Sequence, residues 1–191
     1  MARRFRKKPD EMLLDRVIHH SILKGMPDST RRGRPDIVHL SILSIADTPA
    51  YRGGLVDFIL HTIKDLIIVP KRTWRPPRNY YNFVSIFEQL LKIKRIPPEG
   101  EPILVARQGN LAGAIKSLSP KRVVLFSSRG RLVDLHQFFR TTQYAGCVYL
   151  IGAYAKGEPR KSIVDMADDV ISIYPKMLPG WVVASRAVYE L

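Results

Sequence analysis

The sequence contains one cysteine, Cys147, in 191 residues. A single thiol cannot form an internal disulfide or a thiolate zinc site, so proteins held together by either are excluded. Cys147 begins the apolar stretch 147–151, where we expect a buried structural thiol. No apolar run approaches the roughly 20 residues of a transmembrane helix, and residues 1–8 are basic without the apolar stretch of a signal peptide. These absences predict a soluble, intracellular protein with no membrane partner.

Acidic residues are also few. The sequence has 17 Asp and Glu against 31 Lys and Arg, which gives a formal net charge of +14. Hydrophobic residues make up 46% and charged residues 25%, a composition that is typical of a globular domain and excludes disordered or collagen-like chains. So large a positive excess favours a polyanionic partner such as nucleic acid. Charge alone leaves open a basic ribosomal or membrane-surface protein.

Positive charge is concentrated in two regions. The first is a terminal arm made of Arg3, Arg4, Arg6, Lys7 and Lys8. This arm either settles on phosphate or serves only as a solubilising tail. The second region covers residues 71–95, where basic side chains are interleaved with Trp74, Tyr80 and Tyr81. Arginine mixed with aromatic residues offers phosphate contacts and faces for unstacked bases, so this region is the stronger nucleic-acid signal.

The first hundred residues predict a hairpin and two helices. Apolar, β-branched runs at 56–62 and 65–69 predict a β-hairpin. Pro35 suits the first turn of a helix and Asp36 complements the helix dipole, so residues 37–45 continue that helix. A second helix is predicted by apolar residues at helical spacing, namely Phe83, Ile86, Phe87, Leu90 and Leu91.

From about Pro102 onward, short apolar runs alternate with helical segments. Runs at 103–106, 123–126, 147–151 and 170–173 predict buried strands, and segments 111–118, 132–139 and 181–189 predict helices. This alternation predicts an α/β fold with a parallel sheet covered by helices on both faces. The proline- and glycine-rich stretch 97–102 is the predicted junction. It divides the chain into a basic arm and leading segment (1–30), a part with the hairpin and basic loop (31–100), and the α/β part (101–191).

Common catalytic and metal-binding motifs are missing. Gly152 and Gly157 are spaced as in a phosphate-binding P-loop, but Glu158 stands where that motif needs lysine, so nucleotide hydrolysis is unsupported. His19 and His20 lack further ligands at metal spacing, so we interpret both as structural and predict no metal. The sequence has no GxGxxG fingerprint and no GxSxG elbow, which leaves hydrolytic chemistry without support.

Loops of small residues follow three of the predicted strands, at 127–130, 152–157 and 171–178. In an open parallel sheet, ligands bind beyond the carboxyl ends of the strands, where small residues let a ligand reach backbone N–H and C=O groups. The three loops either line one ligand pocket or are ordinary connections of a parallel fold.

Four ordered motifs carry a family resemblance. Residues 31–39 read Arg-Arg-Gly-Arg-Pro-Asp-Ile-Val-His, and residues 75–80 read Arg-Pro-Pro-Arg-Asn-Tyr. Residues 151–157 read Ile-Gly-Ala-Tyr-Ala-Lys-Gly, and residues 171–175 read Ile-Ser-Ile-Tyr-Pro before a final helical segment. From residue 31 to the last residue, the chain resembles the SPOUT-class pseudouridine N1-methyltransferases of small-subunit ribosomal RNA. Its short length and minimal N-terminus resemble archaeal members.

The resemblance implies a fold and a cofactor. The fold is a SPOUT-type α/β domain whose C-terminal chain forms a trefoil knot and which pairs as a homodimer. The cofactor is S-adenosylmethionine, held by the knot loops largely through backbone groups. The positions that match the family's cofactor site are Phe126, Ser127, Ser128, Gly152, Gly157, Ile171, Ser172, Ile173, Tyr174, Pro175 and Lys176.

The resemblance also implies an RNA-binding surface. Arg34, Arg75 and Arg78 match family arginines that contact RNA, and planar guanidinium groups suit two-point contacts with phosphates or base edges. The family usually has another arginine where this chain has Asn82, which keeps hydrogen-bonding capacity, and Arg72 is the neighbouring residue that can replace the missing charge.

Asp36 matches the family aspartate, and two roles are open for it. We expect it to hold Arg34 in place through a charge-assisted pair. The alternative is that it helps to remove the proton from the base.

The implied reaction is methylation of pseudouridine at N1 by a cytoplasmic enzyme of ribosome biogenesis. Pseudouridine is joined to its sugar through carbon, so its N1–H is free to be methylated. Ribosomal proteins or assembly factors are further expected partners. Two alternatives stay open: a SPOUT methyltransferase for another RNA nucleotide, and a ribosome-assembly RNA-binding factor whose catalysis is dispensable.

Overall fold

The computed structural model describes residues 12–141 and 145–191, so the predicted basic arm lies outside the described residues. The helices are α1 (His20–Lys24), α2 (Pro35–Ala46), α3 (Pro49–Arg52), α4 (Tyr80–Ile93), α5 (Leu111–Leu118), α6 (Leu135–Thr141), α7 (Lys161–Val164) and α8 (Gly180–Tyr189). The strands are β1 (Leu60–His61), β2 (Leu66–Pro70), β3 (Arg95–Ile96), β4 (Leu104–Gln108), β5 (Arg122–Leu132), β6 (Cys147–Leu150) and β7 (Asp169–Ser172). A 3-10 turn, Ser29–Arg31, precedes α2.

Helix α2 begins where the sequence predicts. Pro35 is its first residue and Asp36 lies in its first turn, where a negative charge is stabilised by the helix dipole. Ile37, Ile42 and Ala46 of this helix are buried. The helix packs along α8, so the arginine string directly before it lies next to the C-terminal helix.

The first half of the chain builds an antiparallel sheet in the order β1-β2-β4-β3. β1 and β2 form the predicted hairpin, but β1 has only two residues, so residues 56–59 and residue 62 of the predicted strand lie outside it. The predicted second helix is confirmed as α4. Its buried face packs Phe83, Phe87 and Leu90 against Trp74 and the sheet.

The structure corrects the prediction for residues 103–106. We expected them in the parallel sheet, but β4 pairs antiparallel with β2, with Leu66 opposite Gln108 and Pro70 opposite Leu104. β3 and β4 also pair with each other across the proline-rich stretch 97–102. That stretch is therefore a connection inside one sheet. The antiparallel sheet ends at Gln108, and α5 connects it to the parallel sheet, so the boundary lies there and not at residue 100.

The second half builds a parallel sheet in the order β6-β5-β7. Val124 of the central strand lies opposite Tyr149 of β6 and Asp169 of β7. Strand β5 continues to Leu132, which pairs with Ser172, so α6 begins at Leu135 and not at residue 132 as predicted. The pairing of β5 with β7 is interrupted between Phe126 and Arg131.

The core of this half is apolar and well buried. It is formed by Val124, Phe126, Leu135, Phe138, Phe139, Ile171 and Ala187. Cys147 is half-buried at the start of β6, close to the predicted burial. Within the described residues, no helix combines the length and the hydropathy needed to cross a membrane.

Candidate functional site

Three loops of the parallel sheet surround one cavity. Its walls come from the break in β5, from the loop after β6, from the loop after β7, and from the start of α8. The lining residues are Phe126, Ser127, Ser128, Ile151, Gly152, Tyr154, Lys156, Gly157, Glu158, Pro159, Ile171, Ser172, Ile173, Tyr174, Lys176, Met177, Leu178, Gly180 and Val183. The three loops of small residues thus line one pocket, the first of the two possibilities that the sequence left open.

The predicted cofactor positions come together in this cavity, with one difference. Phe126, Ser127 and Ser128 line it from β5, and Gly152 and Gly157 from the loop after β6. The remaining lining positions among those predicted are Ile171, Ser172, Ile173, Tyr174 and Lys176. Pro175 is not among the lining residues.

Glycine allows two very close backbone approaches in this region. A Cβ atom on Gly180 would lie 2.5 Å from the carbonyl oxygen of Gly152, so the start of α8 packs directly against the loop after β6. A Cβ atom on Gly130 would lie 2.5 Å from the backbone of Ile171. Any side chain at either position would push the cavity walls apart.

The carboxylate of Glu158 joins two walls of the cavity. Ser127 Oγ donates to its Oε2 at 3.1 Å, and Ser128 Oγ donates to its Oε1 at 3.2 Å. Arg129 Nε lies 3.3 Å from Oε1. Glu158 therefore links the break in β5 to the loop after β6 and leaves a negatively charged group at the cavity wall.

Arg34 and Asp36 form a two-point ion pair at the start of α2. Arg34 Nε donates to Asp36 Oδ1 at 2.8 Å, and Nη2 donates to Oδ2 at 2.7 Å. The hydrogen bond from Arg34 holds the pKa of Asp36 below its ordinary value, although burial acts in the opposite direction. Asp36 is thus an ionised carboxylate in a two-point ion pair with the Arg34 guanidinium.

A second, open pocket adjoins this ion pair. It is lined by Asp15, Arg16, Val17, Arg34, Asp36 and Tyr80. The Tyr80 hydroxyl donates to Asp15 Oδ2. Burial, and next the bond to Asp15, raise the pKa of Tyr80 well above its ordinary value, so the phenol stays protonated. The segment around Asp15 is thereby attached to the first turn of α4.

The other predicted RNA-binding residues surround the basic loop between β2 and α4. Arg75 donates to the backbone carbonyls of Arg72 and Trp74, and Arg72 forms an ion pair with Asp57. The Arg78 side chain is 82% exposed and lies 3.8 Å from Asp47. Asn82 is exposed in the first turn of α4, where its backbone N–H donates to the cap residue Asn79.

The two adjacent histidines lie apart from the cavity. His19 is buried, and its Nδ1 accepts a hydrogen bond from the backbone N–H of Asp15 at 3.0 Å, whereas His20 is exposed at the start of α1. In residues 12–141 and 145–191, no three His, Cys, Asp or Glu side chains are grouped so as to hold a metal ion.

The sequence model of the EMG1/NEP1 methyltransferase family matches residues 1–191, the whole of this chain. The chain belongs to the EMG1/NEP1 methyltransferase family. This confirms the family that the four motifs indicate.

Several relatives of this EMG1/NEP1 chain are archaeal. It is 40% identical over 188 residues to the ribosomal RNA small subunit methyltransferase Nep1 of Pyrobaculum calidifontis, covering 98% of this chain and 84% of the relative. It is 33% identical to the Nep1 of Thermococcus kodakarensis over the same number of residues, with the same two coverages. The fold is similar to that of Archaeoglobus fulgidus Nep1 bound to S-adenosylhomocysteine, with a TM-score of 0.82, 28% identity, and coverage of 99% and 84% of the two chains.

Among the residues of this EMG1/NEP1 site that were not predicted, Glu158 and His39 make specific hydrogen bonds. From the sequence, Glu158 served only to exclude a P-loop. Its contacts with Ser127 and Ser128 could not be predicted, because they join positions about 30 residues apart. His39 is the last residue of the first motif, and its Nε2 donates to the Pro77 carbonyl of the second motif at 2.6 Å. The presence of His39 inside a family motif was the one sequence signal for this contact.

Proposed function

We propose that this protein transfers a methyl group from S-adenosylmethionine to N1 of a pseudouridine in small-subunit ribosomal RNA. The observation that carries the proposal is the placement of one cavity beside the arginine surface, by which we mean the predicted RNA-binding residues Arg34, Arg75 and Arg78, in a chain of this family. α2 begins at the Arg34–Asp36 pair and packs along α8, and Ser41 of α2 lies 3.6 Å from the Cβ position of Gly180 at the cavity wall.

The cavity residues fit S-adenosylmethionine. The cofactor has an aromatic base, a ribose with two hydroxyl groups, and a charged amino-acid chain. Apolar side chains such as Phe126, Ile151 and Val183 match the base. The Glu158 carboxylate can accept hydrogen bonds from the polar groups of the cofactor, and the Ser127 hydroxyl can donate or accept them. The Gly180 position, which any Cβ atom would block, keeps this wall tight.

When it is bound, S-adenosylmethionine supplies a methyl group activated by a positively charged sulfur. The protein's task is then mainly to bring the nucleophilic N1 into line with that methyl group. Arg34 is suited to this task because Asp36 fixes its guanidinium, which reduces the entropy lost on contact with RNA. Arg78 supplies an exposed cation that can contact phosphate.

Solvent, rather than Asp36, takes the proton from N1. Both Asp36 oxygens already accept hydrogen bonds from Arg34, and this ion pair lowers the pKa of the carboxyl group. A base with a lowered pKa is a weak proton acceptor near neutral pH. Asp36 is therefore a positioning residue for Arg34.

The proposal extends to the assembly and the location of the protein. Three of its features rest on the family resemblance. They are a trefoil knot formed by the cavity loops, a homodimer, and contacts with ribosomal proteins or assembly factors. The close approach of Gly130 to the Ile171 backbone supports tight crossing of chain segments at this place. A ribosomal RNA substrate and archaeal relatives support a cytoplasmic location.

The test is methyl transfer to whole ribosomal RNA. Purified protein is incubated with methyl-labelled S-adenosylmethionine and with separated small- and large-subunit RNA that lacks the modification. We expect label in the small-subunit RNA and not in the large-subunit RNA. Normal binding of RNA without any affinity for S-adenosylmethionine would instead support an assembly factor that has no methyltransferase activity.

A further inference from the structure

Arg31 is the first residue of the arginine string, yet its side chain contacts the loop that lines the cavity. Arg31 Nη2 donates to the backbone carbonyl of Glu158 at 2.5 Å. The guanidinium carbon lies 5.8 Å from the centroid of the Tyr154 ring. Arg31 Nε lies 3.8 Å from the position that a Cβ atom on Gly157 would take. One side chain thus binds Glu158, lies over Tyr154 and passes beside Gly157, all in a single loop.

A second connection runs parallel to the first. Arg160 Nη2 lies 2.6 Å from Asp28 Oδ2, at the other end of the same loop. Asp28 Oδ1 is also 3.6 Å from Arg31 Nη1, and the Arg31 side chain is only 22% exposed. The 3-10 turn before α2 is therefore attached at two points to the loop between β6 and α7.

These contacts reach the cavity through Tyr154. A Cβ atom on Gly152 would lie 2.9 Å from the Tyr154 ring, so the ring lies directly behind Gly152. Gly157 has a φ of +101°, a conformation that residues other than glycine rarely adopt. Residues 151–160 form no helix or strand, so side-chain contacts from outside largely set the loop's shape.

We infer that Arg31 is a positioning residue for the cofactor loop and not an RNA-contacting residue, and that Asp28 and Arg160 share this role. The inference rests on the proposed function, because it assigns S-adenosylmethionine to the cavity. Within one short string, Arg34 then serves the RNA surface and Arg31 serves the cofactor loop. Replacing Arg34 should therefore reduce the affinity for RNA, whereas replacing Arg31 should reduce the affinity for the cofactor.

The matched pair of variants is Arg31→Ala and Arg32→Ala. Both remove one positive charge from the same string, but Arg32 Nε donates to the Pro27 carbonyl at 2.9 Å and does not touch the loop. Binding of S-adenosylhomocysteine to the full-length variants is measured by calorimetry. We expect roughly tenfold weaker binding for Arg31→Ala, because a hydrogen bond from a charged group is lost, and wild-type binding for Arg32→Ala.

Two further variants separate positioning from general stability. Arg31→Lys keeps a cation near Tyr154 but loses the planar donor, so its affinity for S-adenosylhomocysteine should lie between those of wild type and Arg31→Ala. Arg34→Ala should bind S-adenosylhomocysteine normally and bind RNA more weakly. Hydrogen exchange of the amides in residues 152–160, measured without ligand, should be faster in Arg31→Ala than in Arg32→Ala.

The outcomes distinguish the inference from the proposed function. If wild-type protein does not bind S-adenosylhomocysteine, the proposed function fails and the cofactor role of Arg31 fails with it. If wild type binds and Arg31→Ala binds equally well, only the inference is overturned, even if the loop amides exchange faster. Weakened RNA binding with normal cofactor binding in Arg31→Ala also overturns it, since Arg31 would then serve the RNA.

Discussion

His39 Nε2 donates a hydrogen bond to the backbone carbonyl of Pro77 at 2.6 Å, and thereby joins the two arginine motifs of this protein. The His39 ring is buried and stacks on Phe83 with centroids 4.5 Å apart. Pro77 lies between the predicted RNA-binding residues Arg75 and Arg78. This buried imidazole therefore helps to fix the position of Arg34 relative to the basic loop.

Replacing His39 with leucine should weaken RNA binding without changing cofactor binding. The substitution leaves the half-buried Pro77 carbonyl without its donor, and a hydrogen bond of this kind contributes about 0.5–1.5 kcal/mol. We expect RNA affinity to fall by up to roughly tenfold, which corresponds to the upper end of that range. Fluorescence anisotropy with an RNA hairpin and calorimetry with S-adenosylhomocysteine measure the two affinities. His136→Leu, on the exposed face of α6, is the control, and equal RNA affinity of the two variants would contradict the role of His39.

Arg78→Ala should reduce both RNA affinity and its salt dependence. The Arg78 side chain is 82% exposed and only weakly paired with Asp47, so its charge is available to a phosphate. Loss of one phosphate contact lowers the slope of log affinity against log salt concentration by about 1. A salt titration measures this slope. Lys116→Ala, which removes an exposed charge from α5, should leave the slope nearly unchanged, and an unchanged slope in Arg78→Ala would remove this residue from the RNA surface.

Sequence reasoning located the cavity because its elements are local. Helix α2 follows from Pro35 and Asp36, and α5 occupies the predicted residues 111–118. The loops after the strands of the parallel sheet contain the small residues that indicate a ligand site, and these signals depend on neighbours within a few positions along the chain. The eleven cofactor positions came instead from the family resemblance, and ten of them line the cavity.

The same reasoning failed where the structure depends on distant contacts. An apolar run such as residues 103–106 predicts a buried strand but carries no information on strand direction, so the antiparallel pairing of β4 was missed. The bond from Arg31 to Glu158 spans 127 positions and has no local signal. The Arg34–Asp36 ion pair could be predicted because the two residues are two positions apart.

The pH profile of methyl transfer should be independent of Asp36 near neutrality. Its pKa is lowered from the ordinary value of 3.8 by the hydrogen bond from Arg34. A lowered folded-state pKa means that the ion pair contributes fully above 3.8 and is lost as the pH falls further, through the folded-state pKa. Between about pH 5 and pH 8, Asp36→Asn should have lower activity with the same profile shape as wild type. If the rate of the wild-type protein rises with pH in this range and the rise is absent in Asp36→Asn, Asp36 takes the proton.

Gly180→Ala should destabilise the protein and weaken cofactor binding together. The new Cβ atom would lie 2.5 Å from the Gly152 carbonyl oxygen, which cannot move without displacing the cavity wall. Overpacking of this kind lowers the free energy of unfolding by about 1–3 kcal/mol. The control is Gly25→Ala, because a Cβ atom there meets nothing within 4 Å. Urea denaturation and calorimetry with S-adenosylhomocysteine measure the two effects, and wild-type values for Gly180→Ala would refute the close packing of α8 on this loop.

The most direct test uses two RNA hairpins that differ only in one loop base, uridine in one and pseudouridine in the other. Each is incubated with the protein and methyl-labelled S-adenosylmethionine. The account predicts label on the pseudouridine hairpin alone, because only that base offers a free N1–H. Equal label on both hairpins, or label on neither while the cofactor binds, would contradict the assignment of N1 of pseudouridine as the target.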